Sequence, residues 1–477
     1  MFMSIMPMWF LLLATNITGA PPGDLASFLE PTETLQTMQI TTNQENLLNL
    51  LDAGPDTENA YVKKLLAIRA LEKMKVEKAI PQLQKIARGD DITLSDAAAQ
   101  AIAVIEGKDL PRPDRKKVLQ TLSKNVPADI GFVLCTVLTN KSRGKKLQYH
   151  FDMMRKNLPT LDKLLQKYPQ QAKKAIPETN KALLKTLQTV GNLRIDGVVG
   201  LFPTNIGQET GYAAFVLKGL CDPEKLEKVC ENNMDKAQIG NQTVYHKRYG
   251  PAICLVDKNT LVFSVGGTNG TEHMEMALKD IESGKAASLP PNAKPAFETV
   301  RSGASPWAAS GALSKNQKDL LQEVLNDADE DIQNQPDNPE VEVASAWLMI
   351  GRSIIRGESF EAMSAKNQKI SVIAHCPDTG TASSLSGSLD TAEKLTRELM
   401  LKQLDNPRMA SMVGNIFDKY REGTTFWNTT TKDKDVIAKL SPELLLCQMA
   451  IPYFMMMSMR PSAPPSTTAP APAPNQP

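Results

Sequence analysis

The chain has 477 residues, and its 54 lysines and arginines against 53 aspartates and glutamates give a formal net charge of +1. A nearly neutral chain has no overall field to attract nucleic acid or an anionic membrane, and 5% aromatic residues are too few to favour an aromatic platform for bases or sugars. With 42% hydrophobic and 22% charged residues the composition is that of a globular protein, and the length allows about two to four domains.

The amino-terminal residues 2–14 are apolar apart from Ser4 and contain no charged side chain. A bilayer span takes about twenty apolar residues, so this run is too short to cross and has instead the length of a signal-peptide core. Small residues at 18–20 follow it, where a peptidase would cut. The sequence therefore predicts export to the periplasm, the cell envelope or the extracellular space.

Two features of the leader leave alternatives open. No lysine or arginine precedes the apolar run, and cleavage after Ala20 would leave Pro21 beside the cut. An uncleaved segment would act as a short membrane anchor and associate the protein with a membrane. It would otherwise be buried as an N-terminal helix.

Helical patterning begins after the polar residues 21–44, which are predicted to be a linker. Four helices are expected, over Glu45–Leu51, Val62–Met74, Ala79–Gly89 and Ser95–Ile105. Pro81 is tolerated in the first turn of the third helix, Ser95 is the expected N-cap of the fourth, and Gly107 ends it.

The stretches Leu66–Leu71, Ala79–Leu83 and Asp96–Ile102 combine small alanines with leucine and isoleucine, so that paired helices can approach closely. The first and last recur about 31 residues apart, within the range of helical repeats. Residues 45–107 thus resemble HEAT repeats, although a generic helical hairpin bundle has the same pattern. Only about two repeats are present, fewer than the three or more of a free-standing solenoid, so we expect the helices to dock on their neighbours or on a partner.

Residues 111–126 contain two prolines among charges and are predicted to be a linker before an α+β region. Two helical stretches broken at Pro159, Pro169 and Pro177 follow the first strand, and helices are expected to begin at Asp222–Glu224 and at Thr271. The predicted strands are Ile130–Leu138, Leu193–Phe202, Gly211–Leu220, Gln242–Arg248, Ala252–Val256 and Thr260–Val265.

A second block with the same character follows residue 290. Strands are predicted over Trp307–Leu313, Ser359–Ala365, Lys369–His375 and Ala382–Leu389, helices over Lys315–Asp327 and Ala392–Leu401, and a loop over Asp327–Asn338, while Val341–Ile355 fits either helix or strand. In both blocks a predicted strand ends at an aspartate, Asp222 or Asp390, that caps a helix.

This echo predicts a tandem duplication of one α+β unit, with helices on one face of a mainly antiparallel sheet. The arrangement resembles exported bacterial proteins with tandem α+β units, a resemblance that implies no activity. The expected organisation is a signal peptide or anchor (1–20), a linker (21–44), a HEAT-like segment (45–110), a linker (111–126), two α+β units (127–290 and 291–405), a helical segment (406–460) and a disordered Pro/Ala-rich tail (461–477).

The six cysteines and four histidines form no recognisable site. Three cysteines, at 135, 254 and 447, lie inside apolar runs, and the nearest pair, Cys221 and Cys230, lies too far apart for a bridge if one helix spans it. Mostly free thiols are therefore expected. The histidines lack the spacing of zinc ligands, and His375 and Cys376 would point to opposite faces of a strand.

Other motifs have ordinary explanations. The loop Gly266–Thr271 lacks the ending of a phosphate-binding P-loop, and Ser142–Lys145 lacks the companion elements of a serine–lysine enzyme. Methionines at 455–457 and 459 are a weak candidate for copper, since methionine is also a common core residue. Asn-x-Ser/Thr sequences begin at residues 16, 140, 241, 269 and 428, and matter only in a source that glycosylates exported proteins.

No catalytic, cofactor-binding or metal-binding residue is therefore predicted, and no cofactor. The leading hypothesis is an exported, non-catalytic interaction or scaffold protein with protein partners and no nucleic acid. The alternative is a ligand-binding or hydrolytic α+β protein with its site in a cleft between the two units. A deep cleft with converging polar groups would favour the alternative, and a closed apolar junction the scaffold.

Overall fold

The computed structural model describes a chain of α+β architecture. The described residues are 25–52, 59–108, 114–137, 169–204, 211–248, 250–266, 269–284, 289–302, 307–334, 341–364, 370–403 and 423–440. The leader 1–20 and the tail 461–477 lie outside them.

Five helices form the amino-terminal segment: α1 (Pro31–Thr37), α2 (Gln44–Asp52), α3 (Ala60–Met74), α4 (Ile80–Ala87) and α5 (Ile92–Ile105). The last four match the predicted helices. The N-cap of α5 is Asp91, not the expected Ser95, because the Asp91 carboxylate accepts hydrogen bonds from the backbone N–H groups of Thr93 and Leu94. Helix α3 is central, with Leu65, Leu66, Ile68 and Leu71 fully buried.

Two further helices connect this segment to the sheet. Helix α6 (Arg115–Ser123) lies within the predicted linker 111–126, and its buried Val118, Leu119 and Leu122 show that the stretch is part of the core. Helix α7 (Pro169–Val190) continues through Pro177, where a break was expected. Leu183 and Leu187 of α7 pack into the core of the helical segment, so that segment docks on its neighbours in the chain.

Twelve strands form one antiparallel sheet. They are β1 (Ile130–Val137), β2 (Arg194–Pro203), β3 (Tyr212–Leu220), β4 (Asp235–Ile239), β5 (Gln242–His246), β6 (Ala252–Asp257), β7 (Thr260–Gly266), β8 (Trp307–Gly311), β9 (Ser359–Ser364), β10 (Ile370–His375), β11 (Trp427–Lys432) and β12 (Asp435–Leu440). Their spatial order is β11-β12-β10-β9-β8-β1-β2-β3-β7-β6-β5-β4.

The strand order is mirrored about the β1–β8 pair. Moving outward from β1 the strands are β2, β3, β7 and β6, and moving outward from β8 they are β9, β10, β12 and β11. In both halves, among the described residues, a first strand is followed by one or two helices, two paired strands, one helix and a hairpin. The halves differ in that the first carries the extra hairpin β4–β5.

The other helices of the described residues are α8 (Pro223–Glu231), α9 (Gly270–Gly284), α10 (Lys294–Ser302), α11 (Lys315–Gln333), α12 (Val341–Arg356) and α13 (Thr379–Gln403). Helices α6, α9 and α10 share the largest core with strands of the first half, whereas α12 and α13 share a separate core with β10–β12. Ala308 belongs to the first core and Ala374 to the second, and the pairing of β8, β9 and β10 places them on opposite sheet faces. Helices α6, α9 and α10 therefore pack on one face of the sheet, and α12 and α13 on the other.

Several predictions for the second half are wrong. Residues 382–389 are not a strand but lie inside α13, and Asp390 is an interior helical residue, not a cap. Helix α11 extends to Gln333, so residues 327–333 of the predicted loop are helical. For 341–355, where helix and strand were both left open, the structure has the helix. Within the predicted helical segment 406–460, the described residues 427–440 form the β11–β12 hairpin. Strand β4 was not predicted.

Candidate functional site

The junction between the two halves, where a cleft was considered, is closed by direct pairing of β1 and β8. Cys135 of β1 lies opposite Ala308 of β8 on one side and Val199 of β2 on the other, and all three are buried. Helix α10 covers this face with buried Phe297 and Val300. On the face that α10 covers, the described junction is therefore closed and filled by apolar side chains.

The junction also contains a few polar groups, and they are engaged by the backbone. The Ser310 hydroxyl donates to the Asn292 carbonyl at 2.7 Å and accepts from the Ala296 N–H at 3.3 Å. The Asn292 side-chain amide donates to the Ile130 carbonyl. These bonds fix α10 to the central strands and leave Ser310 no role as an exposed nucleophile.

A buried ionic network joins the helical segment to the sheet. Arg194, at the start of β2, donates to Asp196 through Nε at 3.0 Å and through Nη2 at 3.3 Å, and it also pairs with Asp96 of α5. Burial alone would lower the pKa of Arg194, but the two carboxylates outweigh it and leave the pKa raised. Sequence reasoning missed this network because Asp96 and Arg194 are 98 residues apart.

A second polar cluster at the same interface surrounds Tyr61. Its hydroxyl lies 2.7 Å from the Thr93 hydroxyl and accepts from the Asn192 N–H at 2.8 Å. The Lys225 ammonium lies 3.6 Å from the centre of the Tyr61 ring and 2.7 Å from the Asp222 carboxylate. Burial raises the pKa of Tyr61 well above its ordinary value, so the phenol stays neutral and serves the interface as a hydrogen-bonding group.

The third cluster lies on the sheet face opposite the one that α12 and α13 cover. His375, the last residue of β10, contacts carboxylates from both neighbouring strands: Nδ1 is 2.8 Å from Asp435 of β12, and Nε2 is 3.2 Å from Glu361 of β9. The histidine side chain is 30% exposed, so it meets solvent. Burial lowers the pKa of His375, but the two carboxylates raise it more, and the net pKa is above the ordinary value.

His273 of α9 has the opposite environment. It is fully buried, its Nδ1 lies 2.9 Å from the Ser264 hydroxyl, and its Nε2 lies 3.1 Å from the Gly250 carbonyl. Because a carbonyl only accepts, Nε2 carries the proton and the Ser264 hydroxyl donates to Nδ1. Burial lowers the pKa of His273. This neutral histidine is part of the core and has no access to a substrate.

The five described cysteines are free and buried, as expected for mostly unpaired thiols. Burial raises the pKa of Cys135 to about 12 and that of Cys221, Cys230 and Cys254 to about 11. Thiols of this kind contain almost no thiolate at neutral pH and are poor nucleophiles. Cys447 lies outside the described residues.

The remaining motifs are placed only in part. Ser142–Lys145, His150 and the methionines at 455–459 lie outside the described residues. In the loop after β7, the Asn269 side chain accepts from the Thr271 N–H at 3.2 Å, so Asn269 caps the start of α9. Gly267 and Thr268 lie outside the described residues. Across the described ranges, no group of three or more His, Cys, Asp or Glu side chains is arranged so that it could hold a metal ion, and no described helix is long and apolar enough to cross a membrane.

Exposed apolar side chains concentrate on the α11–α12 helical hairpin. Leu320 and Val324 of α11 are 43% and 55% exposed, and Trp347 and Met349 of α12 are 45% and 47% exposed. Trp347 is partly engaged, since its ring packs against Trp427 and its Nε1 donates to Thr396 at 3.1 Å. Apart from these four, the large apolar side chains described as exposed are Met74 and Val265.

A shallow depression lies elsewhere, in the turn that follows α1. Residues 36 and 39–43 line it, and it is widely open to solvent. It contains no titratable side chain and lies apart from the three polar clusters, so it has no evident chemistry.

Comparisons with known proteins give little. No family model and no curated protein matches the chain. Among solved structures the chain is similar to TP0453: crystal form III at 10% identity and a TM-score of 0.32, over 69% of this chain and 97% of that chain. Crystal form I gives 10% identity and a TM-score of 0.31 over 69% and 96%. Likeness at this level is too low to establish a shared fold.

Proposed function

We propose that the protein is an exported, non-catalytic interaction or scaffold protein whose partners are proteins. The observation that carries the proposal is the closed junction between the two halves. An inter-domain enzyme or binding protein needs a concave site with converging polar groups, whereas the β1–β8 junction is filled by Cys135, Ala308 and Phe297.

The chemistry of the described side chains supports the same proposal. The Arg194 and Tyr61 clusters consist of groups paired with one another across an internal interface. The described thiols are buried, and the buried His273 is used in core hydrogen bonds. The His375 cluster combines titratable groups with partial exposure, and it lies on the sheet face opposite the one that α12 and α13 cover.

The outer helix α11 is the surface that best suits a protein partner. It is held to α12 by Leu325 against Gly351 and by the Arg352–Asp329 ion pair at 2.6 Å. Its other side presents Leu320 and Val324 one turn apart. Both side chains are about half exposed, and a bound partner would remove their apolar surface from water, which is favourable.

Cross-linking of the full-length exported protein tests this proposal. A photo-reactive residue placed at 316, which is exposed on α11, should capture a defined protein. The double variant Leu320→Glu/Val324→Glu should reduce capture about tenfold or more, as expected where central apolar contacts are lost. The matched control Ser383→Glu/Ser384→Glu, on the exposed side of α13, should leave capture unchanged.

Three outcomes contradict the proposal. Equal capture by both double variants would remove α11 as the partner surface. A small molecule that raises the melting temperature in a ligand screen, with no protein captured, would favour the ligand-binding alternative. Recovery of the protein from the cytosol with residues 1–20 intact would contradict export.

A further inference from the structure

The Glu361–His375–Asp435 cluster connects three adjacent strands at one end of the sheet. In the strand register His375 lies directly opposite Asp435 of β12 and Ser359 of β9, and Glu361 is two residues further along β9. All three titratable side chains lie on the same face of the sheet, because directly opposite residues share a face and so do residues two apart on one strand. The charged neighbours on this face also include Lys432 of β11, opposite Asp435.

The chemistry of the contacts selects one protonation state. Ionised carboxylates only accept hydrogen bonds, and a neutral imidazole has a single N–H to donate. Both ring nitrogens of His375 face a carboxylate, so a neutral ring satisfies one contact and turns a lone pair toward the other. The imidazolium donates to both and also neutralises one of the two negative charges.

The cluster acts on the hairpin that forms one edge of the sheet. Strand β12 pairs with β10, while β11 pairs with β12 and forms the edge. The open end of this hairpin is bound to α13: the Phe426 N–H donates to Glu393 at 2.9 Å, and the Trp427 Nε1 donates to the Leu389 carbonyl at 3.2 Å. At the turn end, the Cys376 N–H donates to the Lys434 carbonyl at 3.0 Å, and His375 holds Asp435.

We propose that His375 is a proton-operated clasp that fixes the turn end of the β11–β12 hairpin to the sheet, closed as the imidazolium and loosened as the neutral ring. This regulatory device is independent of the proposed interaction surface on α11. The folded-state pKa of His375 lies above the value of 6.5 for an unperturbed histidine. The stabilisation is therefore complete below pH 6.5 and is lost as the pH rises through the folded-state pKa.

Hydrogen exchange of the full-length protein between pH 5.5 and 8.5, corrected for the intrinsic exchange rate, tests the clasp. Amides of residues 432–437 should lose protection as the pH rises, by about tenfold for each unit by which the His375 pKa exceeds the unfolded value. The β4–β5 hairpin at the opposite sheet edge is the internal control, and its protection should not follow this profile.

The variant His375→Gln keeps a hydrogen-bonding side chain but cannot titrate, so its exchange profile should be flat. Glu361→Gln should lower the pKa of His375, measured by NMR from the imidazole Cε1–H shift, and move the transition to lower pH. If His375→Gln does not fold, Glu361→Gln still decides the matter. A pKa of His375 at or below 6.5, or an unchanged pH profile in either variant, would overturn the proposal.

Discussion

Replacing Arg194 by methionine tests whether the ionic network holds the helical segment on the sheet. The substitution keeps much of the aliphatic length but leaves Asp196, 8% exposed, and Asp96, 17% exposed, without their guanidinium. Removing one partner of a buried ion pair costs about 3–5 kcal/mol, because the remaining charge stays desolvated. Asp96 has partial access to water, so we expect the lower end, about 3 kcal/mol.

Two further variants distinguish the loss of the Arg194–Asp96 ion pair from the loss of a positive charge alone. Asp96→Asn leaves Arg194 paired with Asp196, and one charged hydrogen bond is weakened, so about 1.5 kcal/mol is expected. The exposed Arg88→Met is the matched control and should change stability by less than about 0.5 kcal/mol.

These stability changes are measured by urea unfolding, monitored by tryptophan fluorescence and by far-UV circular dichroism. The described tryptophans all lie in the second half of the protein, Trp307 and Trp427 in strands β8 and β11 and Trp347 in helix α12, so their fluorescence reports on that half. Far-UV circular dichroism at the helical wavelength includes the amino-terminal helices. In Arg194→Met the helical signal should change at a lower urea concentration than the fluorescence. If Arg194→Met and Arg88→Met have the same midpoint, the network contributes no net stability and the reasoning is refuted.

Two glycine substitutions should change the stability in opposite directions, and a substitution of His273 should change its pH dependence. Gly311→Ala should destabilise the protein by about 3 kcal/mol, because the new Cβ would meet the Gly131 carbonyl and lie 2.6 Å from the Phe132 Cα. Gly387→Ala in α13, where a Cβ would have nothing within 4 Å, is the control and should stabilise the protein by a smaller amount. Equal thermal midpoints of the two variants would show that the β1–β8 backbones are free to separate. Because the pKa of His273 is lowered by burial, the unfolded chain takes up a proton below pH 6.5 that the folded chain resists, so His273 costs stability as the pH falls. The difference in urea midpoint between wild type and His273→Gln should therefore narrow from pH 7.5 to 5.5, and a constant difference would contradict this environment for His273.

Local signals predicted much of the first half of the sheet. Asp222 followed by Pro223 is a strong helix start, and the structure confirms it, with the Asp222 carboxylate accepting from the Lys225 N–H. The strands predicted over Ala252–Val256 and Thr260–Val265 match β6 and β7 to within one residue. These features depend on residues that are neighbours in the chain, which is why the sequence reveals them.

The errors in the second half arise where packing outweighs local preference. Residues 382–389 contain four serines and a glycine, which are weak helix formers, yet Ala382, Leu385 and Ala392 are buried at helical spacing inside α13. The same misassignment produced the echo between Asp222 and Asp390 and with it the original argument for duplication. The mirrored strand order is a separate observation and does not depend on that echo.

The polar clusters were beyond sequence reasoning for a different reason. His375 is separated from Glu361 by 14 residues and from Asp435 by 60, and they meet through the register of three strands. Burial alternates at Val436 and Ala438 of β12, but Ile437 between them is also apolar, so the sequence does not show this alternation and does not fix the register against β10.

The central β1–β8 pair has a consequence for how the chain acquires its fold. Phe132 and Gly311 are partners in the middle of the sheet, although the whole first half separates them along the chain. During synthesis, β1 keeps one unsatisfied edge until residue 311 has emerged, and such edges are prone to intermolecular pairing. Sequence-distant pairing of this kind also slows folding. Cleavage of the polypeptide between the halves would thus yield two aggregation-prone fragments, since β1 in one and β8 in the other would become exposed edge strands.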